Sequence, residues 1–281
     1  MDDNLIQSLK TLARSTARLA TMMRDYSKLK DDVVENAYLM EKKVTAIAVL
    51  VDNLLSSELK GSISKWLDSE RKEVDRAKDE FKFQFGSRLK DLLKSDGLQV
   101  RGQYPLLRFG IYTLKLNFEL GEATLFFGPE VEKIKSKIPL QPGTIHDIVV
   151  KSERDLKVDR SELESLGRDL RTAYERCLKR DGSAYGGKVL ITDVLKEYVF
   201  MKQPKKFTVD ARRENFREYP RAKLSLMLFR LRNIGVVAHG MHLHVATFDA
   251  TVDRAKTIWV PDNDEGAGTY YEYVSFEHPQ D

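Results

Sequence analysis

Apolar residues recur in alternating steps of four and three along the first fifth of the chain: Leu5, Leu9, Leu12, Leu19, Met23, Tyr26, Val33, Ala37, Met40, Val44, Ile47, Val51 and Leu54. Two slots in that register, Thr16 and Lys30, are not apolar. A repeat of 3.5 residues held for about seven heptads places one narrow apolar seam on a long helix. A helix cannot bury its own seam, so the pattern predicts a docked second helix. That helix belongs to a protein partner or to a second copy of the chain. The expected contact residues are Leu5, Leu9, Leu12, Leu19, Met23, Met40, Val44, Ile47, Val51 and Leu54.

No proline precedes Pro105, and the first glycine is Gly61. Helix is therefore expected from residue 3 to residue 95, with breaks at 28–32, where charge enters the seam, and at 56–64, where glycine and serines weaken helix propensity. Trp66, Leu67, Val74, Ala77, Phe81, Phe85, Leu89 and Leu92 continue an apolar stripe beyond the second break, and Gly97 is a natural stop. The arm, residues 1–96, reads as a helical hairpin or a bent pair of long helices.

The texture then changes. Residues 98–127 hold three short runs rich in aromatic and branched residues, divided by Gly102, Gly110 and Gly121. Residues 112–120 alternate as a half-buried strand, and Gly121-Glu122 turns it into residues 123–127. A sheet this small needs a helix on one face, and residues 145–179 can supply it through Leu156, Leu163, Leu166, Leu170, Tyr174 and Leu178. The expected class is α+β: a long N-terminal helical coiled-coil arm, a small antiparallel sheet with a helix over residues 97–181, and a third domain over residues 188–249. A glycine-rich linker at 181–187 precedes that domain, and an acidic tail, residues 250–281, follows it.

The net charge is only +4, but its distribution is uneven. Residues 205–232 carry nine basic side chains against three acidic, and residues 249–281 carry eight acidic against two basic. A cationic block beside an anionic segment suggests a polyanion surface. Helices are expected at 189–198, 208–219 and 221–233, followed by a hairpin with strands 234–238 and 241–248 around His239-Gly240. Three helices followed by a hairpin, the third ending Leu231-Arg-Asn-Ile-Gly-Val-Val237, resembles the winged helix-turn-helix superfamily over about 60 residues. That resemblance implies a third helix in the major groove and a wing on the backbone, with Arg221, Lys223 and Arg230 on or near the reading helix and His239, His242 and His244 on the wing. Lys205, Lys206, Arg212, Arg213, Arg217 and Arg221 supply enough cations for phosphate contact through counterion release. Met227 and Phe229 depart from that pattern, since so apolar a helix face suits protein contact better than base edges.

The residues that carry chemistry are sparse. His242-Leu-His244 with Asp249 offers two imidazoles and a carboxylate, short of a convincing third metal ligand. Glu41-Lys42-Lys43 and Glu130-Val-Glu-Lys133 echo nuclease lettering without converging aspartates. Cys177, the only cysteine, lies beside Arg176, Lys179 and Arg180, which can lower a thiol pKa, but it has no evident histidine partner. No phosphate-cradling glycine motif occurs, so no cofactor is expected. Tyr104, Phe109, Tyr112, Phe118, Phe126 and Phe127 read as core packing ahead of a base-stacking platform. The longest apolar run, 46–51, is too short to cross a bilayer, the first residues do not read as a signal peptide, and a lone cysteine suits a reducing cytoplasm.

Together these features lead us to expect a non-enzymatic, cytoplasmic, DNA-binding and assembly subunit of a multiprotein complex. An accessory subunit of a bacterial coiled-coil ATPase or of an antiviral defence system fits that architecture by analogy. A purely protein-binding scaffold and a metal-dependent hydrolase centred on His242 and His244 are the alternatives.

Overall fold

The computed structural model describes residues 3–52, 57–233 and 240–278. Its contacts divide the chain into two compact units. The first comprises residues 1–100, 116–124 and 136–148; the second comprises 101–115, 125–135 and 149–281.

In the first unit, helix α1 (Asp3–Leu29) runs into a 3-10 turn (Lys30–Asp32), then α2 (Ala37–Val51) and α3 (Ser57–Ser95) follow. The break falls where charge interrupts the seam. Asp32 Oδ1 accepts the Glu35 amide at 2.9 Å, and Asn36 Nδ2 donates to the Leu29 carbonyl at 3.0 Å, which fixes the turn. The seam therefore does not continue as a rod. Leu19, Tyr26, Met40, Val44, Ile47 and Val51 are buried together with Ile63, Leu67 and Val74 of α3, and Met23 packs against them partly buried. This corrects the expected partner surface, because those side chains meet helices of their own chain. Leu9 remains 57% exposed and Leu12 half-buried; the Leu5 side chain and Leu54 lie outside the described residues.

Lys30, the charged slot in the seam, meets Glu70 at 2.8 Å and Glu73 at 3.1 Å. The Tyr26 hydroxyl donates to Glu70 at 2.6 Å, so this buried carboxylate is held from two sides. Burial pushes the Glu70 pKa up, yet the Lys30 ammonium and the Tyr26 hydroxyl outweigh it and hold the group below its ordinary range. Farther along α3, Leu93 is buried and Leu92 is turned out, one position from the expected stripe.

Residues 101–139 form a five-stranded meander in the order β1 (Arg101–Gln103), β2 (Leu106–Phe109), β3 (Tyr112–Asn117), β4 (Glu122–Phe127) and β5 (Glu132–Pro139). The alternation expected over 112–120 holds in β3 only from Leu114 to Asn117, because Thr113 is also buried and the strand ends at 117; β4 does alternate, with Ala123, Leu125 and Phe127 buried. β5 escapes sequence reading because its lysines at 133, 135 and 137 are exposed and its apolar residues few.

In place of one helix over 145–179 there are two, α4 (Pro142–Leu156) and α5 (Arg160–Asp181). The segment expected as a linker, residues 181–187, lies inside one unit, since α5 shares that unit with everything that follows it. The Tyr174 hydroxyl pins this turn, donating to the Gly187 carbonyl at 2.7 Å and accepting the Gly186 amide at 3.0 Å.

The second unit continues with β6 (Val189–Leu190), α6 (Ile191–Met201), the short α7 (Lys205–Val209), a 3-10 turn (Arg213–Asn215) and α8 (Arg221–Asn233). It ends with β7 (Met241–Val245), a 3-10 turn (Asp249–Val252), β8 (Ile258–Pro261) and β9 (Gly268–Phe276). The segment expected as an acidic tail thus supplies the central strand of a sheet: β9 pairs antiparallel with β6, β7 and β8. Trp259 of β8 is buried against Phe127, ring centroids 5.5 Å apart and nearly perpendicular.

Candidate nucleic-acid interface

The winged-helix expectation places its reading helix at α8. Ala222, Leu224, Ser225, Leu226, Met227, Leu228, Phe229 and Leu231 are all buried, which leaves this helix no free face to lay in a groove. Residues 234–238 and His239, the first half of the expected wing, lie outside the described residues. Its second half, β7, is paired with β9. The expected helix at 208–219 is instead the one-turn α7 and a loop.

That loop is an exposed cationic segment of the second unit. Gln203 closes its base: Nε2 donates to the carbonyls of Val199 at 2.9 Å and Arg217 at 3.1 Å, and Oε1 accepts the Arg217 amide at 2.8 Å. Inside, the Asn215 side chain donates to the Asp210 carbonyl at 2.9 Å, and the Phe207 and Phe216 rings meet edge to face at 5.3 Å. This 15-residue segment, with joined ends and its own small core, is an Ω-like excursion built from α7, the 3-10 turn and irregular chain. Residues 205–217 carry five basic side chains against two acidic. Lys205, Lys206, Arg212 and Arg213 are exposed, and Lys205, Lys206 and Arg213 have no ion-pair partner among the described residues. Arg212 pairs with Asp210 at 2.9 Å on the surface.

The other expected contact residues each have an acidic neighbour, Arg221 and Lys223 largely enclosed and Arg217, Arg230 and His242 at the surface. Glu162, its side chain 9% exposed, faces Arg217 at 3.5 Å and Lys223 at 3.6 Å and accepts the Tyr219 hydroxyl at 3.0 Å. Burial first, and then the Glu162 charge, push the Tyr219 pKa up to about 12, so it stays a donor at neutral pH. Arg221 meets Glu132 at 2.8 Å and the Thr257 carbonyl at 2.5 Å. Arg230 pairs with Asp264 at 3.2 Å, Arg232 with Asp262 at 3.0 Å and His242 with Glu277 at 2.8 Å. Arg221 and Lys223 thus serve as fold contacts, whereas Arg217, Arg230 and His242 are exposed side chains that already have an acidic neighbour. Their acidic partners lie 34 to 89 residues away, and no local pattern in the sequence reveals them.

Chemistry fares similarly. His244 Nε2 lies 2.9 Å from Ser275 Oγ, and burial holds its pKa below the usual imidazole value. Among the described residues, no group of three or more His, Cys, Asp or Glu side chains is arranged to hold a metal ion. Cys177 is buried, and burial pushes its thiol pKa up against the opposing pull of Arg180, the reverse of an activated cysteine. Phe109, Tyr112 and Phe127 are core side chains and offer no stacking platform. No helix among the described residues is long and apolar enough to cross a membrane. Comparison with protein-family models, with curated proteins and with solved structures returned no match.

Proposed function

We propose that the protein is a non-enzymatic assembly subunit that contacts nucleic acid through the loop at residues 203–217. The observation that carries this reading is the exposed trio Lys205, Lys206 and Arg213, free of ion pairs among the described residues on a loop whose base is hydrogen-bonded shut. Cations already free of carboxylates meet phosphate at little cost, and the closed loop limits the ordering entropy of binding. A helical partner would meet α1 at Leu9 and Leu12, the part of the seam that its own bundle leaves open.

Three phosphate contacts give a slope of log K against log salt of about −2.7, so affinity for duplex DNA falls about 40-fold between roughly 50 and 200 mM salt. Fluorescence anisotropy with labelled duplex measures this directly. The triple variant Lys205→Glu, Lys206→Glu, Arg213→Glu should abolish binding and leave the melting temperature near wild type. Absent binding at low salt, or a flat salt dependence, overturns the reading. A purely protein-binding scaffold is the second reading, favoured by Phe248 and Val252, which stand 90% and 84% exposed on one short turn; it predicts that absence.

A further inference from the structure

One face of α6 is incompletely covered. Thr192, Leu195, Lys196, Val199 and Phe200 recur at i, i+3, i+4, i+7 and i+8. In place of packing against another element throughout, they line a hollow of about 330 Å³ within the second unit. Phe216, Tyr219, Leu224, Ile258, Arg221 and Arg254 complete most of its lining. The volume lies in the range of small-molecule sites, and the composition matches their usual form: apolar walls with a few polar groups that fix orientation. Phe200 stands 62% exposed at this site.

The charges give the ligand its sign. Glu132 is shared by two guanidinium groups: Arg221 Nε donates to Oε1 at 2.8 Å, and Arg254 donates to Oε2. Arg221 is fixed further by the Thr257 carbonyl. One carboxylate between two guanidiniums leaves one positive charge uncompensated beside an apolar hollow. Arg254 is the more exposed of the two and keeps donors to offer. Lys196 adds a third cation, paired on the surface with Asp193 at 2.9 Å. None of the described lining side chains is acidic.

We propose that this hollow binds a small carboxylic acid with an apolar body, the carboxylate on Arg254 and the hydrocarbon along the α6 face. A single surplus charge matches a monocarboxylate better than a phosphate ester, whose two charges would find too few donors. Apolar walls alone would accept any greasy molecule; the guanidinium adds a charge-assisted hydrogen bond that only the acid can use. This site is separate from the loop's free cations and does not rest on nucleic-acid contact.

Isothermal titration of the full chain with sodium octanoate and with octan-1-ol tests the assignment. Octanoate should bind about tenfold more tightly than the alcohol. Arg254→Ala leaves Glu132 matched to Arg221 alone, and should erase that preference while the alcohol binds as before. Val199→Trp fills the hollow and should remove both ligands. If that variant melts early, the acid-to-alcohol ratio and its collapse in Arg254→Ala decide the matter. Failure of octanoate to bind the wild-type chain overturns the proposal, as does equal binding of acid and alcohol or an unchanged preference in Arg254→Ala.

Discussion

Trp259 offers a sharp test of how the second unit is packed. A Cβ built on Gly268 would lie 2.3 Å from the indole atoms Cε2 and Cζ2, and one built on Gly128 would lie 2.8 Å from Cζ3. Gly128 also has a φ of +70°, whereas Gly268 raises no such constraint, so Gly268→Ala isolates the steric conflict. The indole is buried and fixed against Phe127, and Gly128 obstructs another edge, so the ring cannot simply slide away. Overpacking of this kind costs about 1–3 kcal/mol. A value near 2 kcal/mol raises the opening equilibrium about 30-fold. Hydrogen exchange of peptides spanning 258–276, under conditions where reclosing outpaces exchange, should quicken by that factor. Trp259→Leu is itself costly, about 2–4 kcal/mol, because it leaves a cavity. It also removes the clashing atoms. In a Trp259→Leu background, Gly268→Ala should therefore cost less than about 0.5 kcal/mol, a coupling of about 1.5 kcal/mol between the two sites. Gly61→Ala, with nothing within 4 Å of the new Cβ in a helix, controls for generic effects. Additivity of the two substitutions to within about 0.5 kcal/mol would falsify this account of the packing.

Three further outcomes follow from buried groups. Tyr26→Phe removes the hydroxyl bound to Glu70 and should destabilise the helical unit by about 1–3 kcal/mol, read through Trp66 fluorescence in a Trp259→Phe background. Glu70 has a folded pKa below its unfolded one, so its contribution is complete above the unfolded value and is lost as pH falls through the folded value. Glu70→Gln should accordingly flatten the decline in melting temperature below about pH 5, and an unchanged acid limb would contradict the sign. Cys177 should react with a thiol reagent only through unfolding, so that its rate tracks urea-induced opening; rapid modification of the native protein would show the thiol to be accessible.

The seam residues show what periodicity reveals and what it hides. Their spacing correctly marks Leu19, Tyr26, Met40, Val44, Ile47 and Val51 as one apolar face. Periodicity does not say whose helix covers it. That answer lies in the break, where Lys30-Asp-Asp and Asn36 form a turn that offers the seam partners in cis. Both α6 and α8 are legible as helices from their composition. That α8 is buried all round is visible only in retrospect, in the run Leu224-Ser-Leu-Met-Leu-Phe229, which no amphipathic helix would carry. Within the segment read as a tail, Thr269-Tyr-Tyr-Glu-Tyr-Val-Ser-Phe276 has the branched and aromatic content of a strand. Counting charge over residues 249–281 obscures it.

The same charge count carries the deeper lesson about the site. The basic block and the acidic segment look like two surfaces with different partners, yet Asp262 and Asp264 pair with Arg232 and Arg230, and Glu277 meets His242, within one unit. Glu162 and Glu132 absorb Arg217, Lys223 and Arg221 in the same way. What remains for a polyanion is the residue of this cancellation, a trio on one loop and not a helix-wide stripe. A substitution must therefore be chosen by partner and not by sign. Arg217→Glu would set a second carboxylate against buried Glu162, which keeps Lys223 and the Tyr219 hydroxyl, and so should lower stability as well as alter binding. Lys206→Glu on the same loop alters only what an incoming ligand feels.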